Sequence, residues 1–136
     1  MASLAIVDLD HFKRVNDTWG HGEGDRVLAE AAGILASSVR EEDLVGRWGG
    51  EEFVILFPSL SGAHAAKRVD QIREELENRV TVGQGKDIWK QTFSAGVATW
   101  RGGNPESGIE SLVEAADKAL YKAKENGRNR VVVAEG

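Results

Sequence analysis

The chain has 136 residues, of which 41% are apolar and 29% are charged, and this composition fits one compact domain rather than two. Its 17 Lys and Arg residues against 22 Asp and Glu residues give a formal net charge of −5, which excludes a broad basic surface for nucleic acid polymers. The absence of cysteine excludes disulfides and thiolate metal sites, and fits a cytoplasmic location. No apolar stretch approaches the roughly 20 residues of a membrane span, so we expect no direct membrane contact by this domain, although a longer parent protein could be tethered.

The first third of the chain predicts a buried strand followed by two helices. The apolar run 4–7 ends at Asp8 and is typical of a central strand that is covered on both faces. Asp10 is placed to cap a short helix, which Gly20-His21-Gly22 ends. A longer helix is predicted from about Asp25. Its apolar stripe comprises Val27, Leu28, Ala31, Ala32, Leu35 and Val39.

The rest of the chain alternates strands and helices. Residues 44–48 and 53–57 flank two glycines as a hairpin, and a third helix follows. A strand pattern runs from Val80 to Thr99, with a turn at 83–85. After a loop over 101–108, a fourth helix is predicted to end at Gly127, before a last strand at 131–133. The predicted inward residues are Ala65, Val69, Ile72 and Leu76 in the third helix, Trp89, Gln91, Phe93, Ala95 and Val97 in the strand, and Leu112, Val113, Ala116, Ala119, Leu120 and Ala123 in the fourth helix.

The order of the elements is β, α, α, β, β, α, β, α, β, and one connection is a hairpin. This order predicts an α/β (α+β) fold with a central mixed five-stranded sheet and helices packed around it. No linker divides the chain, so residues 1–136 are interpreted as a single domain.

The segment Arg47-Trp48-Gly49-Gly50-Glu51-Glu52-Phe53 carries the clearest chemical signal. Two glycines followed by two carboxylates between strands describe a tight turn with negative charge at its lip. If the sheet places Asp8 beside this turn, Asp8 and Glu51 form a carboxylate pair, to which the carbonyl of Leu9 adds a third oxygen. Such a site suits Mg²⁺, which combines few carboxylates with substrate phosphates. Taken alone, each motif is equally typical of an ordinary turn with solvated glutamates.

Five motifs in fixed order favour the functional interpretation. They are DLDHFKRVND at 8–17, GHGEGD at 20–25, RWGGEEF at 47–53, TFSAGV at 92–97 and ADKALYKAKENGRN at 116–129. Together they resemble a GGDEF domain, the catalytic module of diguanylate cyclases, over about residues 4–133. The resemblance implies a mostly antiparallel sheet like the palm of nucleotide polymerases and cyclases. It also implies condensation of two GTP molecules into cyclic di-GMP with release of two pyrophosphates.

The resemblance implies the catalytic and metal-binding roles. Asp8 matches the metal-binding aspartate, and Glu51 matches the metal ligand and base for the ribose 3′-hydroxyl. Glu52 is the second carboxylate of the motif, and Leu9 contributes its carbonyl. The implied cofactor is Mg²⁺ or Mn²⁺, with two ions per active site flanking the attacking and leaving oxygens.

Guanine recognition is implied for Asn16 and Asp25, and Phe12 is assigned to the same substrate site. A carboxylate can accept from guanine N1–H and its amine, whereas adenine has no donor at N1, so Asp25 favours GTP over ATP. The structural alternatives are a turn residue for Asn16 and a helix cap for Asp25.

Phosphate contacts are implied for two glycines and three basic residues. Gly49 and Gly50 let backbone approach the phosphates. Lys13, Lys124 and Arg128 match the basic residues that hold the triphosphate. The alternative for these three is solvated surface charge, which is the more usual environment of Lys and Arg.

A product-inhibition site is implied at Arg40 and Asp43, which match an RxxD motif five residues before the paired glycines. Arginine can stack on guanine and bind phosphate, while aspartate can accept from the base edge. In some relatives a second arginine from the next helix completes this site. Here that helix offers Gln71 near the expected place and Arg73 a half-turn further on, so the strength of inhibition stays open.

Several aromatic and histidine residues receive structural interpretations. Trp19 and Trp48 are expected in the core, and His21 is expected to pack or fix a loop. The other histidines, His11 and His64, are too scattered in sequence to suggest a metal site.

Three hypotheses follow for the function. The first is a diguanylate cyclase domain that needs a homodimer, since each copy binds one GTP. The second is a non-catalytic cyclic di-GMP receptor that uses Arg40 and Asp43, against which the intact Gly-Gly-Glu-Glu signature argues. The third, a cyclase with an adenine-containing product, is disfavoured by Asp25. The family usually has a helix before the first strand, so we expect a domain without its N-terminal helix and regulatory domain.

Overall fold

A computed structural model describes residues 1–102 and 105–135 of the chain. The elements in chain order are β1 (Ala2–Leu9), α1 (Phe12–Trp19), α2 (His21–Ser37), β2 (Leu44–Gly49), β3 (Glu52–Phe57), α3 (Gly62–Arg79), β4 (Thr81–Val82), β5 (Trp89–Lys90), β6 (Phe93–Trp100), α4 (Pro105–Glu125) and β7 (Arg130–Val133).

The main sheet has five strands in the order β2-β3-β1-β6-β7. Strand β1 is antiparallel to both β3 and β6, and the edge strand β7 is parallel to β6. The predicted mixed, mostly antiparallel five-stranded sheet is therefore confirmed. Because β1 is antiparallel to β3, with Asp8 opposite Glu52, its carboxyl end lies next to the turn of the β2–β3 hairpin.

Strand β1 separates two apolar layers. Ala5, Val7 and Leu9 face a core formed with α1, α2 and α3, whereas Leu4 and Ile6 pack on α4 at the opposite face. Alternate side chains of one strand point to opposite faces, so a continuous apolar run is what a strand buried on both sides requires.

Helix α4 lies directly on the backbone of β6. A Cβ on Gly96 would come within 2.1 Å of the Ala116 carbonyl oxygen and 2.3 Å of the Leu120 amide nitrogen, so only glycine permits this approach. The close packing sets the position of α4 on the sheet, and Lys124 in its last turn reaches Asp8 at the carboxyl end of β1.

The predicted strand from Val80 to Thr99 is interrupted, which corrects the sequence prediction. Strands β4 and β5 pair with each other as a separate two-stranded ribbon, and β6 begins only at Phe93. Gly83 and Gly85, at the turn of this ribbon, have positive φ angles of 94° and 70°. The alternation continues across the break because Trp89, on the ribbon, still packs against the same core as Phe93.

Three predicted helix starts were also wrong. Asp10 does not cap α1, whose N-cap is His11 with φ 54°; among the described residues no side chain caps this helix. Helix α2 begins at His21 rather than near Asp25, because Gly20 alone, with φ 89° and ψ 170°, breaks the chain direction. Helix α4 begins at Pro105, inside the loop predicted over 101–108, and positions 103–104 of that loop lie outside the described residues.

Candidate active site

The β1–β3 pairing brings the predicted carboxylates together. Asp8 lies directly opposite Glu52 in the antiparallel register, and the Leu9 amide donates to the Glu51 carbonyl oxygen at 3.2 Å. The two-residue turn Gly50-Glu51 therefore lies beside the end of β1. Asp8 and Glu51, 43 positions apart in the sequence, thus lie at one edge of the sheet together with Glu52, and these three carboxylates form what we call the acidic lip.

The glycine turn leaves space above its backbone. Gly50 has φ 51°, a conformation that favours glycine, and a Cβ on Gly49 or Gly50 would meet no described atom within 4 Å. The guanidinium of Arg47 donates to the Gly50 carbonyl oxygen at 3.0 and 2.6 Å, which holds the turn from one side.

The acidic lip is crowded with negative charge. Burial raises the pKa of Asp8, and the nearby Glu51 and Asp10 carboxylates raise it further, while a hydrogen bond from Lys124 acts in the opposite direction. Burial and the Asp8 charge likewise raise the pKa of Glu52. Carboxylates whose charges disfavour one another in a partly buried site gain from a cation, and Lys124 provides one.

The donor set fits a hard divalent cation. Asp8, Glu51 and Glu52 supply carboxylate oxygens, and Leu9 supplies its carbonyl at the same edge. Within residues 1–102 and 105–135, no three Asp, Glu or His side chains are arranged as a preformed metal cage. Mg²⁺ does not require one, because it is usually bound through one or two carboxylates plus substrate phosphates and waters.

A cavity of about 320 Å³ adjoins this lip. It brings together Phe12, Lys13, Asn16 and Asp25 with Gly50 and Glu51, six of the predicted site residues. Helix α1 supplies the first three and α2 supplies Asp25, which lies one turn inside α2 and so is not its N-cap. Carboxylate, amide and ammonium groups around a space of this size suit a polar planar base with attached phosphate.

Sequence reasoning missed Gly24, which shapes this cavity. A Cβ on Gly24 would lie 1.9 Å from the Asn16 side-chain oxygen and 3.3 Å from the Phe12 ring. The glycine within GHGEGD therefore provides the room in which the Asn16 amide lies. His21, expected to pack or fix a loop, is exposed rather than packed, and it lines the cavity together with Arg47.

The end of α4 and the turn that follows it contribute two cations to the site. Lys124 donates a hydrogen bond to Asp8, and the Arg128 guanidinium lies 3.8 Å from a carboxylate oxygen of Asp10. The two phosphate-binding candidates from the C-terminal part of the chain thus lie at the carboxyl end of β1.

Arg40 and Asp43 form a closed turn at the other end of β2. The Arg40 amide donates to Asp43 Oδ2 at 2.9 Å, and the Arg40 guanidinium lies 3.4 Å from the same oxygen. The Asp43 side chain is fully buried, so in this arrangement it orients Arg40 rather than facing solvent. The length of β2 separates this turn from Gly49 by roughly 17 Å.

The two residues proposed to complete the inhibitory site differ in availability. Arg73 donates to Asp70 at 2.7 Å and to Asn129 at 2.8 Å, so it is engaged within the domain. Gln71 is exposed and lines a cavity of about 270 Å³ with Arg68, between the end of α2 and α3.

Three other findings lie away from the predicted site. Trp48 is 57% exposed, so its expected core position was wrong, whereas Trp19 packs on the core beside Trp89. A cavity of about 760 Å³ lies between the start of α3 and the first half of α4, and none of the predicted site residues lines it. The part of the chain that the structure describes includes no helix long and apolar enough to cross a bilayer.

A mixed sheet with an acidic lip beside a nucleotide-sized cavity defines a site suited to a nucleoside triphosphate and divalent cations. The chain belongs to the GGDEF family, because the family model described as "Diguanylate cyclase, GGDEF domain" matches residues 1–130. Members of this family are generally metal-dependent.

Individual relatives agree with the family match. Diguanylate cyclase A of Treponema denticola is 42% identical over 133 residues, which are 98% of this chain and 35% of that protein. The chain therefore spans about a third of the length of this curated relative.

Solved structures show the same fold. The GGDEF domain of DgcB from Caulobacter crescentus, in complex with c-di-GMP, has a TM-score of 0.88 and 36% identity, and the match covers 99% of this chain and 78% of that chain. The active GGEEF domain of a diguanylate cyclase from Vibrio cholerae has a TM-score of 0.88 and 32% identity, covering 99% and 83%.

Proposed function

We propose that residues 1–136 form a single diguanylate cyclase domain. It condenses two GTP molecules into cyclic di-GMP with release of two pyrophosphates, in the cytoplasm, where GTP is available. The observation that carries this proposal is the cavity shared by Asn16, Asp25, Gly50 and Glu51, which joins base-binding groups to the acidic lip.

Asp8, Glu51, Glu52 and the Leu9 carbonyl would hold Mg²⁺ or Mn²⁺, with two ions per site. Bound there, the ions supply Lewis acidity toward the phosphates and the attacking hydroxyl. Lys124 already forms an ion pair with Asp8, so its ammonium is positioned to compensate negative charge at the same edge.

Asn16 and Asp25 bind the guanine in this proposal. The Asp25 carboxylate accepts from N1–H and the exocyclic amine, and the Asn16 amide, placed beside Gly24, pairs with the base edge. Phe12 and Lys13 line the same cavity, and the Lys13 ammonium binds phosphate in this proposal. ATP lacks the N1 donor, which leaves Asp25 without a partner and so favours GTP.

Glu51 acts as the base in the proposed reaction. It accepts the proton of the ribose 3′-hydroxyl, the 3′-oxygen bonds to the α-phosphorus of the GTP held by a second copy, and pyrophosphate leaves. Two copies must therefore face each other, so catalysis needs a homodimer. Gly49 and Gly50 leave the approach open, and Lys124 and Arg128 bind the triphosphate.

Arg40 and Asp43 are proposed to bind the product. The guanidinium of Arg40 contacts the guanine and phosphate of cyclic di-GMP. Asp43 holds this guanidinium in place through its contacts with the backbone and side chain of Arg40. Separation from the acidic lip by the length of β2 makes this a second site that can report product concentration.

A receptor function is the second candidate, favoured by one observation. The Asp8 carboxylate is already paired with Lys124, and a permanent pair would keep a cation from binding there. In that case the domain would bind cyclic di-GMP through Arg40 without making it.

Analysis of products from GTP and Mg²⁺ separates the two candidates. We expect the wild-type domain at high concentration to form cyclic di-GMP, and Glu51→Gln to form none while still binding cyclic di-GMP. Binding through Arg40 with no product from the wild type, alone or fused to a dimerising segment, would favour the receptor.

A further inference from the structure

The carboxylate of Asp10 is buried and fully engaged, although Asp10 caps no helix. Thr92 Oγ1 donates to its Oδ2 at 2.7 Å, and Ser94 Oγ donates to its Oδ1 at 2.7 Å. Asp10 itself is 4% exposed. A buried charge persists where hydrogen bonds compensate its lost hydration, so this carboxylate is tied firmly to the start of β6.

A third hydrogen bond joins Asp10 to the turn between α4 and β7. The Asn129 amide donates to Asp10 Oδ2 at 3.0 Å, and the Arg128 guanidinium lies 3.8 Å from Oδ1. In this turn Gly127, Arg128 and Asn129 have φ angles of 122°, 64° and 48°. Two consecutive non-glycine residues in the left-handed region are unfavourable and persist only where surrounding contacts hold them.

The same turn is held from the other side by α3. Arg73 donates to the Asn129 side-chain oxygen at 2.8 Å, and the Asn129 side-chain amide donates to Glu77 at 3.0 Å. Asn129 is thus bonded through its backbone to Asp10 and through its side chain to α3. The backbone of Arg128 has little freedom between these two anchors.

The consequence concerns the Arg128 side chain. Its guanidinium has five N–H donors, and at 3.8 Å from Asp10 it is attracted to the carboxylate without a short hydrogen bond to it. The side chain is 38% exposed, so donors remain available to an anionic ligand. Asp10 therefore orients the guanidinium without using its hydrogen-bond donors.

We propose that Asp10 is a positioning residue, which fixes the Arg128–Asn129 turn so that Arg128 is presented to the triphosphate of the substrate. Asp10 is neither a metal ligand nor a substrate contact in this account. The inference rests on the proposed function, because it takes Arg128 as a phosphate-binding residue.

A double-mutant cycle on nucleotide binding tests the inference. The probe is the α,β-methylene analogue of GTP with Mg²⁺, and the variants are Asp10→Asn, Arg128→Ala and the double variant. We expect Asp10→Asn and Arg128→Ala each to weaken binding by about tenfold, the size of one charge-assisted hydrogen bond. The double variant should lose no more than about twofold beyond Arg128→Ala, because Asp10 acts through Arg128.

Two further variants make the cycle independent of the stability of Asp10→Asn. Asn129→Gly keeps the amide bonded to Asp10 and tolerates positive φ but loses the contacts with Arg73 and Glu77, so we expect about threefold weaker binding, again absent in an Arg128→Ala background. Lys118→Ala is the control, since it removes a cation from the exposed face of α4. Cyclic di-GMP binding at Arg40 should be unchanged in all variants.

The outcomes separate the inference from the proposed function. Losses that add in the double variants, or unchanged nucleotide binding in Asp10→Asn and Asn129→Gly, would overturn the positioning role while leaving the cyclase proposal intact. A wild-type domain that binds cyclic di-GMP but not the GTP analogue would overturn the proposed function, and the inference with it.

Discussion

Asp8 and Glu52 lie opposite each other across β1 and β3, at the last antiparallel pair before the sheet opens at the glycine turn. Directly opposed like charges destabilise an antiparallel pair, so this position favours function over stability. The Lys124 ammonium offsets part of the repulsion. A cation held by the same carboxylates would offset more of it.

Glu52→Gln should stabilise the domain in the absence of divalent cations. Removing one of two opposed charges is worth roughly 0.2–1 kcal/mol. Urea unfolding at neutral pH measures this difference, and Glu41→Gln, on the exposed loop before β2, is a matched control that should change stability little. A destabilised Glu52→Gln domain would show that the carboxylates do not repel each other as described.

Gly24→Ala should weaken GTP binding without destabilising the domain. The new methyl group displaces the Asn16 amide, with a loss of about one hydrogen bond, or roughly tenfold in affinity. Alanine is favoured over glycine within a helix by about 1 kcal/mol, so the substitution does not destabilise α2.

Gly33→Ala is the matched control for this prediction. Gly33 lies in the same helix, is exposed, and its Cβ would meet no described atom within 4 Å. The Gly33→Ala domain should be more stable than wild type. Its affinity for GTP, measured by calorimetric titration, should be unchanged. Equal affinities for both variants would contradict the role given to Gly24.

Glu23 should make stability depend on pH below neutrality. Hydrogen bonds from Arg26 and from the Gly83 amide lower the pKa of Glu23 from 4.5 to about 2. A carboxylate with a depressed folded pKa stabilises the fold above its unfolded pKa, and this contribution is lost as pH falls from about 4.5 to about 2. Allowing for solvent screening, we expect about 1 kcal/mol.

Urea unfolding of wild type and Glu23→Gln between pH 7 and pH 3 measures this contribution. The difference between the two proteins should be largest at neutral pH and should shrink as the pH falls below about 4.5. Glu30→Gln removes the other carboxylate beside Arg26 but leaves the hydrogen bond from the Gly83 amide to Glu23. It should therefore lower the free energy of unfolding by less than Glu23→Gln does. A difference that grows in acid would contradict the sign of the effect.

Arg40→Ala should weaken cyclic di-GMP binding at the second site strongly, whereas Asp43→Asn should weaken it less. The asparagine oxygen can still accept from the Arg40 amide, so the turn survives while one charge is lost. We expect a loss of more than about tenfold for Arg40→Ala and a smaller loss for Asp43→Asn, measured by calorimetry. Arg79→Ala, at the exposed end of α3, is the control. The reverse order would mean that Asp43, not Arg40, makes the main ligand contact.

The sequence predicted the main sheet because β1 is a continuous apolar run and the hairpin has clear turn chemistry. It predicted a pair of Asp8 and Glu51 if the sheet placed β1 beside the hairpin; the register places β1 there, with Glu52 directly opposite Asp8. Periodicity could not detect the break at Gln91-Thr92, because residues on both sides of it face the same core.

Asp10 was misinterpreted since its partners Thr92, Ser94 and Asn129 are distant in sequence, and no local pattern reveals them. Trp48 has the large apolar side chain that is typical of a core residue, but it lies on the exposed edge strand β2.

The central claim is that two copies of this domain each use the acidic lip to join two GTP molecules. The initial rate of cyclic di-GMP formation, measured against protein concentration with GTP and Mg²⁺, tests it most directly. We predict a rate that rises as the square of concentration for the unassociated wild-type domain, no product from Asp8→Asn, and a rate that falls as the square of the wild-type fraction when Asp8→Asn replaces wild type at constant total concentration. Product formation that is linear in concentration and unaffected by Asp8→Asn, or no product at any concentration, would contradict the account.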